Sequence, residues 1–262
     1  MKLGVNWSGQ REIPVLKEVL SLRNVDFLEL LIDNFLTTDI DSIKHFLNGR
    51  DCAFHIMNSQ FLHRDKVELK EMSIRINKLI DELNPIYISD HIGRFYYKNT
   101  ALPQMLEIDY SEDLDLVTKK LEDWSKMLDK KLLLENYPSI LAQRRTQADF
   151  FDEILSKTNC GILFDISNAV ISEINTGQKK EDWHGILHDC SNFHIAGFEY
   201  GPKNQFLVDT HSQCIDESAL SYFNDIIDHC SPSTLSIERD DNFNKNEWIT
   251  DIDNIRKILN DK

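Results

Sequence analysis

The sequence predicts an α/β chain folded as a (β/α)8 TIM barrel, a single domain over residues 1–262, and three observations predict it. Eight short apolar runs recur along the chain, longer stretches with helical periodicity separate them, and no Gly-, Ser- or Pro-rich linker divides it. A doubly wound open sheet is the competing arrangement, but it needs no eighth strand.

The runs fall at residues 3–6, 27–31, 53–56, 86–89, 132–135, 161–165, 192–196 and 234–238. Several are almost continuously apolar, as strands covered on both faces of a parallel sheet must be. Between the third and fourth runs, residues 64–83 place Leu69, Met72, Ile76, Leu79, Ile80 and Leu83 at steps of three and four, with Lys and Glu on the other face. Residues 111–130 repeat the pattern with Leu114, Val117, Leu121, Trp124 and Leu128, and Ser111 is the expected N-cap. Residues 216–229 and 246–259 read as the last two helices.

Composition narrows the function. With 41% hydrophobic residues the chain can bury a full core. The 29 basic against 44 acidic side chains leave a formal charge of −15, which argues against a nucleic-acid partner. No apolar run is long enough to span a bilayer, and no secretory signal opens the sequence, so no membrane association is expected. Cys52, Cys160, Cys190, Cys214 and Cys230 are odd in number and contain no Cys-x-x-Cys pair. They read as reduced thiols of a cytoplasmic protein. Neither a Gly-x-Gly-x-x-Gly nor a Walker loop is present, so a nucleotide cofactor has no support.

Polar residues with ligand chemistry stand where the runs end, the face on which barrels build their sites. His55 is near the end of the third, Asp90-His91 follow the fourth, Glu135-Asn136 close the fifth, and Asp165 closes the sixth with Asn168 beyond. The seventh carries His194, the next loop holds Asp209-Thr210-His211, and the eighth ends at Glu238-Arg239-Asp240. Taken singly, a buried His is usually a hydrogen-bonded core residue and a strand-end Asp a helix cap. Four imidazoles and at least four carboxylates converging on one cavity cannot all be buried without compensation, and metal ions compensate several at once. Mixed imidazole and carboxylate suits Fe, Mn or Zn, and so many donors exceed the needs of one ion. A cluster of two or three ions, with Glu135 or Asp165 bridging, is the expectation. His45, His63, His184, His188 and His229 read as filler in or beside helices, and the four tryptophans as packing anchors.

A chain of motifs makes a resemblance specific. It runs from Leu30-Leu31-Ile32-Asp33-Asn34-Phe35 through Phe54-His55-Ile56-Met57, Ser89-Asp90-His91-Ile92 and Leu134-Glu135-Asn136-Tyr137-Pro138-Ser139-Ile140. It continues with Leu163-Phe164-Asp165-Ile166-Ser167-Asn168-Ala169, Asn175-Thr176-Gly177, Phe193-His194-Ile195-Ala196-Gly197, Asp209-Thr210-His211 and Glu238-Arg239-Asp240. In these blocks the chain resembles the multinuclear non-heme iron-dependent oxidative enzymes, most closely the MbnB-type oxidases of methanobactin biosynthesis.

The resemblance implies a TIM barrel, two or three irons, O2 as co-substrate and a small MbnC-like partner protein in a heterodimer. It also implies an MbnA-like, cysteine-containing precursor peptide whose cysteines become oxazolone–thioamide groups. Its iron ligands would fall on His55, His91, Glu135, Asp165, His194, Asp209, His211 and Glu238, with Asn168 a ninth. Asp240 matches the position of a base; a salt bridge to a neighbouring Arg is its ordinary reading. Ser167 departs from the wider family, which often has Asn there. The alternative is a divalent-metal TIM-barrel phosphodiesterase or sugar isomerase, and a non-catalytic docking scaffold is the third possibility.

Overall fold

The computed structural model describes residues 1–260. In chain order its elements are β1 (Lys2–Trp7), α1 (Ile13–Leu22), β2 (Phe27–Leu31), α2 (Ile40–Leu47), β3 (Asp51–Ile56), α3 (Lys66–Leu83) and β4 (Ile88–His91). A hairpin of β5 (Arg94–Tyr97) and β6 (Thr100–Leu106) follows, then α4 (Leu114–Ser125), β7 (Leu132–Glu135), α5 (Gln147–Lys157), β8 (Gly161–Asp165) and α6 (Ile166–Thr176). The last part holds α7 (His184–Leu187), β9 (Asn192–Ala196), a hairpin of β10 (Phe198–Tyr200) and β11 (Leu207–Asp209), α8 (Glu217–Ile226), β12 (Thr234–Glu238) and α9 (Lys245–Asn260).

Eight strands close into one parallel barrel in the order β1-β12-β9-β8-β7-β4-β3-β2. The (β/α)8 expectation is therefore what the chain adopts. Five of the eight expected strands coincide with the observed ones residue for residue; β1 and β3 are longer, and β4 is displaced two residues towards the C-terminus. The displacement has a physical cause. Tyr87, within the expected run, precedes the ladder, while Asp90 and His91 pair with Leu134 and Glu135 and so belong to the strand.

Side chains alternate across each strand, so one set lines the barrel. Phe27, Ala53, Tyr87, Leu133 and Leu163 form a separate apolar cluster there, and the far larger cluster packs between strands and helices. Where Gly4 lies in β1, a Cβ would sit 2.4 Å from the Phe27 ring, so the absence of a side chain admits that ring to the barrel floor. Above this floor the same inward parity carries Glu29, His55, Glu135, Asp165, His194 and Glu238.

Caps decide where the helices begin. Asp65 starts α3 with a capping box completed by Glu68, and Thr146 and Asp216 cap α5 and α8. The expected cap at Ser111 is not there: α4 starts at Leu114, and its approach is folded by Asp109, which accepts from the backbone N–H of Ser111 and Glu112. The 111–130 and 216–229 stretches are correspondingly shorter helices than expected. His45 and His184 are exposed within helices, and His188 and His229 are exposed beyond α7 and α8. His63 is not filler, since its Nε2 accepts from the Phe95 N–H and ties the β5–β6 hairpin to the loop before α3. All four tryptophans are buried.

Candidate metal centre

The C-terminal ends of the barrel strands surround a cavity of about 280 Å³. His55, on β3, is held from behind: its Nδ1 is 2.8 Å from Ser89 Oγ, which leaves Nε2 facing His91 Nε2 at 2.9 Å and Glu135 Oε2 at 3.4 Å. His91 ends β4 with Nδ1 3.2 Å from the same Glu135 oxygen. His194, on β9, turns Nδ1 towards Glu135 Oε1 (3.2 Å) and Glu238 Oε2 (3.1 Å). Its Nε2 points the other way, 2.8 Å from Glu29 on β2.

The expected dual nature of Asp165 resolves into one role per oxygen. Oδ1 caps α6, accepting from the Asn168 N–H at 2.6 Å, while Oδ2 is buried and accepts no hydrogen bond from the described residues. Asn136 fixes the strand end by exchanging two hydrogen bonds with the Asp165 backbone, at 2.7 and 2.8 Å. Asn168 donates Nδ2 to the Asn136 carbonyl and keeps its buried Oδ1 unpaired.

Asp209, expected from the sequence in a loop, instead ends the strand β11; its Oδ2 lies 2.8 Å from His211 Nε2, with Glu238 Oε2 3.9 Å from that nitrogen. Asp240 sits half-exposed at the mouth, accepting from Asn6 Nδ2 and bonded to His211 Nδ1, each at 2.8 Å. The ordinary reading of Asp240 as an arginine's partner does not apply, because Arg239 turns away to Asp251 and Glu247.

Three groups of donors lie within 4.8 Å of one another: Glu29, His55 and His194; His55, His91 and Glu135; and Glu135, Asp165, His194 and Glu238. Glu135 belongs to two of them, the placement a bridging carboxylate needs. Asp209 and His211 adjoin through Glu238, and Asn168 lines the same cavity. Asp90 does not join them. It faces outward from β4, accepting from Trp124 Nε1 at 2.8 Å, and burial pushes its carboxyl up to about 8.

Electrostatics show what the cluster lacks. Among the described residues, no Lys or Arg lines the cavity. Burial pushes the Glu135 carboxyl up to about 8, and burial with neighbouring Asp209 and Glu238 lifts Asp165 to about 7. Burial lowers His91 to about 4 and His55 well below the ordinary imidazole range. Burial also opposes charge on His194, but Glu238, Glu29 and Glu135 outweigh it and hold its proton well above the usual range. Unpaired buried oxygens on Glu135, Asp165, Asp209 and Asn168 complete a pattern that fits cations: hard oxygen and imidazole donors, aimed inward, with no cationic side chain among them.

The family described as RiPP precursor modification enzyme MbnB/TglH/ChrH matches residues 3–260. The chain belongs to that family. Among curated relatives, a UPF0276 protein of Rhizorhabdus wittichii is 27% identical over 225 residues, covering 83% of this chain and 80% of the relative. A UPF0276 protein of Caulobacter vibrioides is 25% identical over 229 residues, with the same coverages. Solved structures share the barrel fold. A xylose isomerase domain protein from Planctomyces limnophilus superposes with a TM-score of 0.63 at 15% identity, covering 98% of this chain and 95% of that one. Endonuclease IV from Thermus thermophilus gives 0.62 at 12% identity over the full length of both. At such identities the likeness is one of fold alone. The family, by contrast, specifies a modifying enzyme of ribosomally made precursor peptides, so such a peptide is the substrate it implies.

The structure thus gathers His55, His91, Glu135, Asp165, His194 and Glu238 into these donor groups, sets Asn168, Asp209, His211 and Asp240 around the same cavity, and adds Glu29. Glu29 stands in the middle of the five-residue run Phe-Leu-Glu-Leu-Leu, and the structure, not the sequence, shows that it shares the inward parity of Phe27.

Proposed function

We propose that the chain is an iron- and O2-dependent oxidase of cysteine in a ribosomally made precursor peptide, converting it to an oxazolone–thioamide pair as in methanobactin biosynthesis. The observation that carries this reading is the shared placement of Glu135 between two donor groups, in a chain whose family modifies precursor peptides. His55, His91 and Glu135 would hold one ion, and Glu135, Asp165, His194 and Glu238 a second. Asp209 and His211 with Glu238 would hold a third, with the Asn168 amide oxygen in reserve. Iron, when bound, supplies a place for substrate thiolate and the one-electron chemistry that O2 requires.

The chain's own residues account for the rest. Tyr137, Pro138 and Ile140 wall one side of the cavity, limiting water at the reacting cysteine. Asp240, at the mouth and oriented by Asn6 and His211, is placed to accept the proton of the neighbouring peptide amide as the ring closes. A second groove of about 1030 Å³ shares Tyr137 and Ile140 with the cavity and is lined by the exposed apolar residues Tyr97, Leu106 and Leu141. That continuity suits an extended peptide whose flanking residues must leave a small cavity over its rim. An MbnC-like partner would complete leader binding, since remote binding energy is needed to select one cysteine in a longer chain. The five free cysteines favour a cytoplasmic site of action.

The alternative, a divalent-metal phosphodiesterase or sugar isomerase, is supported by fold likeness alone. The test is direct. Anaerobically loaded ferrous protein, with partner and precursor peptide, is exposed to air. The reading expects O2 consumption and a peptide lighter by about four hydrogens. Full iron loading with unchanged peptide mass contradicts it.

A further inference from the structure

We infer that Glu29 is the positioning residue of His194: it takes the ring's Nε2–H and so commits Nδ1 to the metal cluster. The inference rests on the metal reading above and adds a residue to it. A metal-bound imidazole keeps one N–H, and which nitrogen ligates is set by the hydrogen bond the other makes. His194 is wholly buried and Glu29 is 1% exposed, so each is the other's close polar neighbour away from bulk solvent. Both Glu29 oxygens lie 2.8 Å from Nε2, whereas Nδ1 is 3.1–3.2 Å from one oxygen each of Glu238 and Glu135. One nitrogen therefore faces the single carboxylate of Glu29 on β2, and the other faces the carboxylates of Glu135 and Glu238.

Glu29 is itself aimed. Tyr87, in the apolar floor of the barrel with Phe27, Leu133 and Leu163, donates its hydroxyl to Glu29 Oε2. The result is a buried series, Tyr87 to Glu29 to His194, running from the floor to the cluster. Two of the other three site histidines follow the same rule: Ser89 holds the Nδ1 side of His55, and Asp240 the Nδ1 side of His211. His194 differs from these two in being gripped at Nε2. Glu29, His55 and His194 are also close enough to hold an ion of their own. The two roles are exclusive, since Nε2 cannot donate to Glu29 and bind a cation between them.

The test uses the full chain with ferrous iron or zinc alone, comparing wild type with Glu29→Gln, Glu29→Leu and Tyr87→Phe. Iron per chain at saturation and affinity by chelator competition are measured, alongside 15N-histidine spectra of the zinc-loaded protein. The expectation is unchanged stoichiometry in all variants. Affinity should weaken roughly 10–100-fold in Glu29→Leu. Gln, which keeps an acceptor, should recover part of that loss, and Tyr87→Phe should show a smaller loss in the same direction. Wild-type His194 should carry its proton on Nε2. Should Glu29→Leu fail to fold, the Gln and Phe variants and the wild-type spectrum decide the matter alone. Loss of one whole ion on changing Glu29 makes it a ligand and overturns the inference, as does a protonated Nδ1 or an unchanged affinity in every variant. A wild-type chain that takes up neither metal overturns the metal reading itself.

Discussion

Asp165 and Glu135 show how single side chains are divided between fold and site. One Asp165 oxygen starts α6 and the other is buried without a hydrogen bond from the described residues, so Asp165→Asn should retain the cap and lose the charge. Its stability should stay within about 1 kcal/mol of wild type, while iron content falls by one ion, as urea unfolding and elemental analysis would report. Glu135→Gln should remove more than one ion, because two groups share that carboxylate; loss of a single ion would show that it does not bridge. Proton linkage gives a further expectation. Glu135 and Asp165, raised to about 8 and about 7, hold protons that a cation must displace. Metal affinity should therefore climb as pH rises from about 6 to about 8 and level off above, with protons released on binding. An affinity flat across that range would contradict the carboxylate assignment. Glu29 escaped the sequence because a lone carboxylate in an apolar strand does not declare which barrel face it takes. The direction became visible only once Ala53 and Phe27 fixed the parity.

The elements that carry His211 and Asp240 depend on two unusual contacts. A Cβ at Gly197 would stand 2.0 Å from the Gln213 carbonyl, so the turn after β9 and the loop after His211 can touch only with glycine there. Arg239, 1% exposed, bonds the Ser212, Gln213 and Asn242 carbonyls together with Asp251 and Glu247. Arg239→Ala should cost about 3–5 kcal/mol by stranding Asp251. It should also disorder the loops at the mouth, read as a drop in unfolding midpoint together with weaker retention of the third ion. A loss under about 1 kcal/mol would show that the loops hold without it. At this scale the sequence was most legible where burial was two-sided: the apolar runs ending in His, Asp or Glu became the barrel strands. The β5–β6 hairpin was not foreseen. Its strands are largely exposed and do not alternate cleanly, and Lys98-Asn99, both at positive φ, turn it without a glycine to mark the spot.

Across the whole molecule, the cavity is too small for a peptide, and the larger groove beside it is where the chain would run. Leu141, 75% exposed, and Tyr97, 60% exposed, both line that groove. Changing either to Ser should raise KM for the precursor peptide roughly tenfold while leaving kcat and iron content alone. An unchanged KM would place the peptide elsewhere. Closure of the barrel was readable from eight spaced runs, and the convergence of distant His, Asp and Glu followed from closure. Cavity shape and groove were not readable, because they depend on hairpins whose packing no periodicity encodes. The account turns on several cations sharing one carboxylate-rich mouth. Diffraction from anaerobically iron-loaded crystals, collected at the iron absorption edge, tests it most directly. Two or three anomalous peaks around Glu135, Asp165, His194 and Glu238 are the expected result. A featureless map between those side chains, after loading, would contradict it.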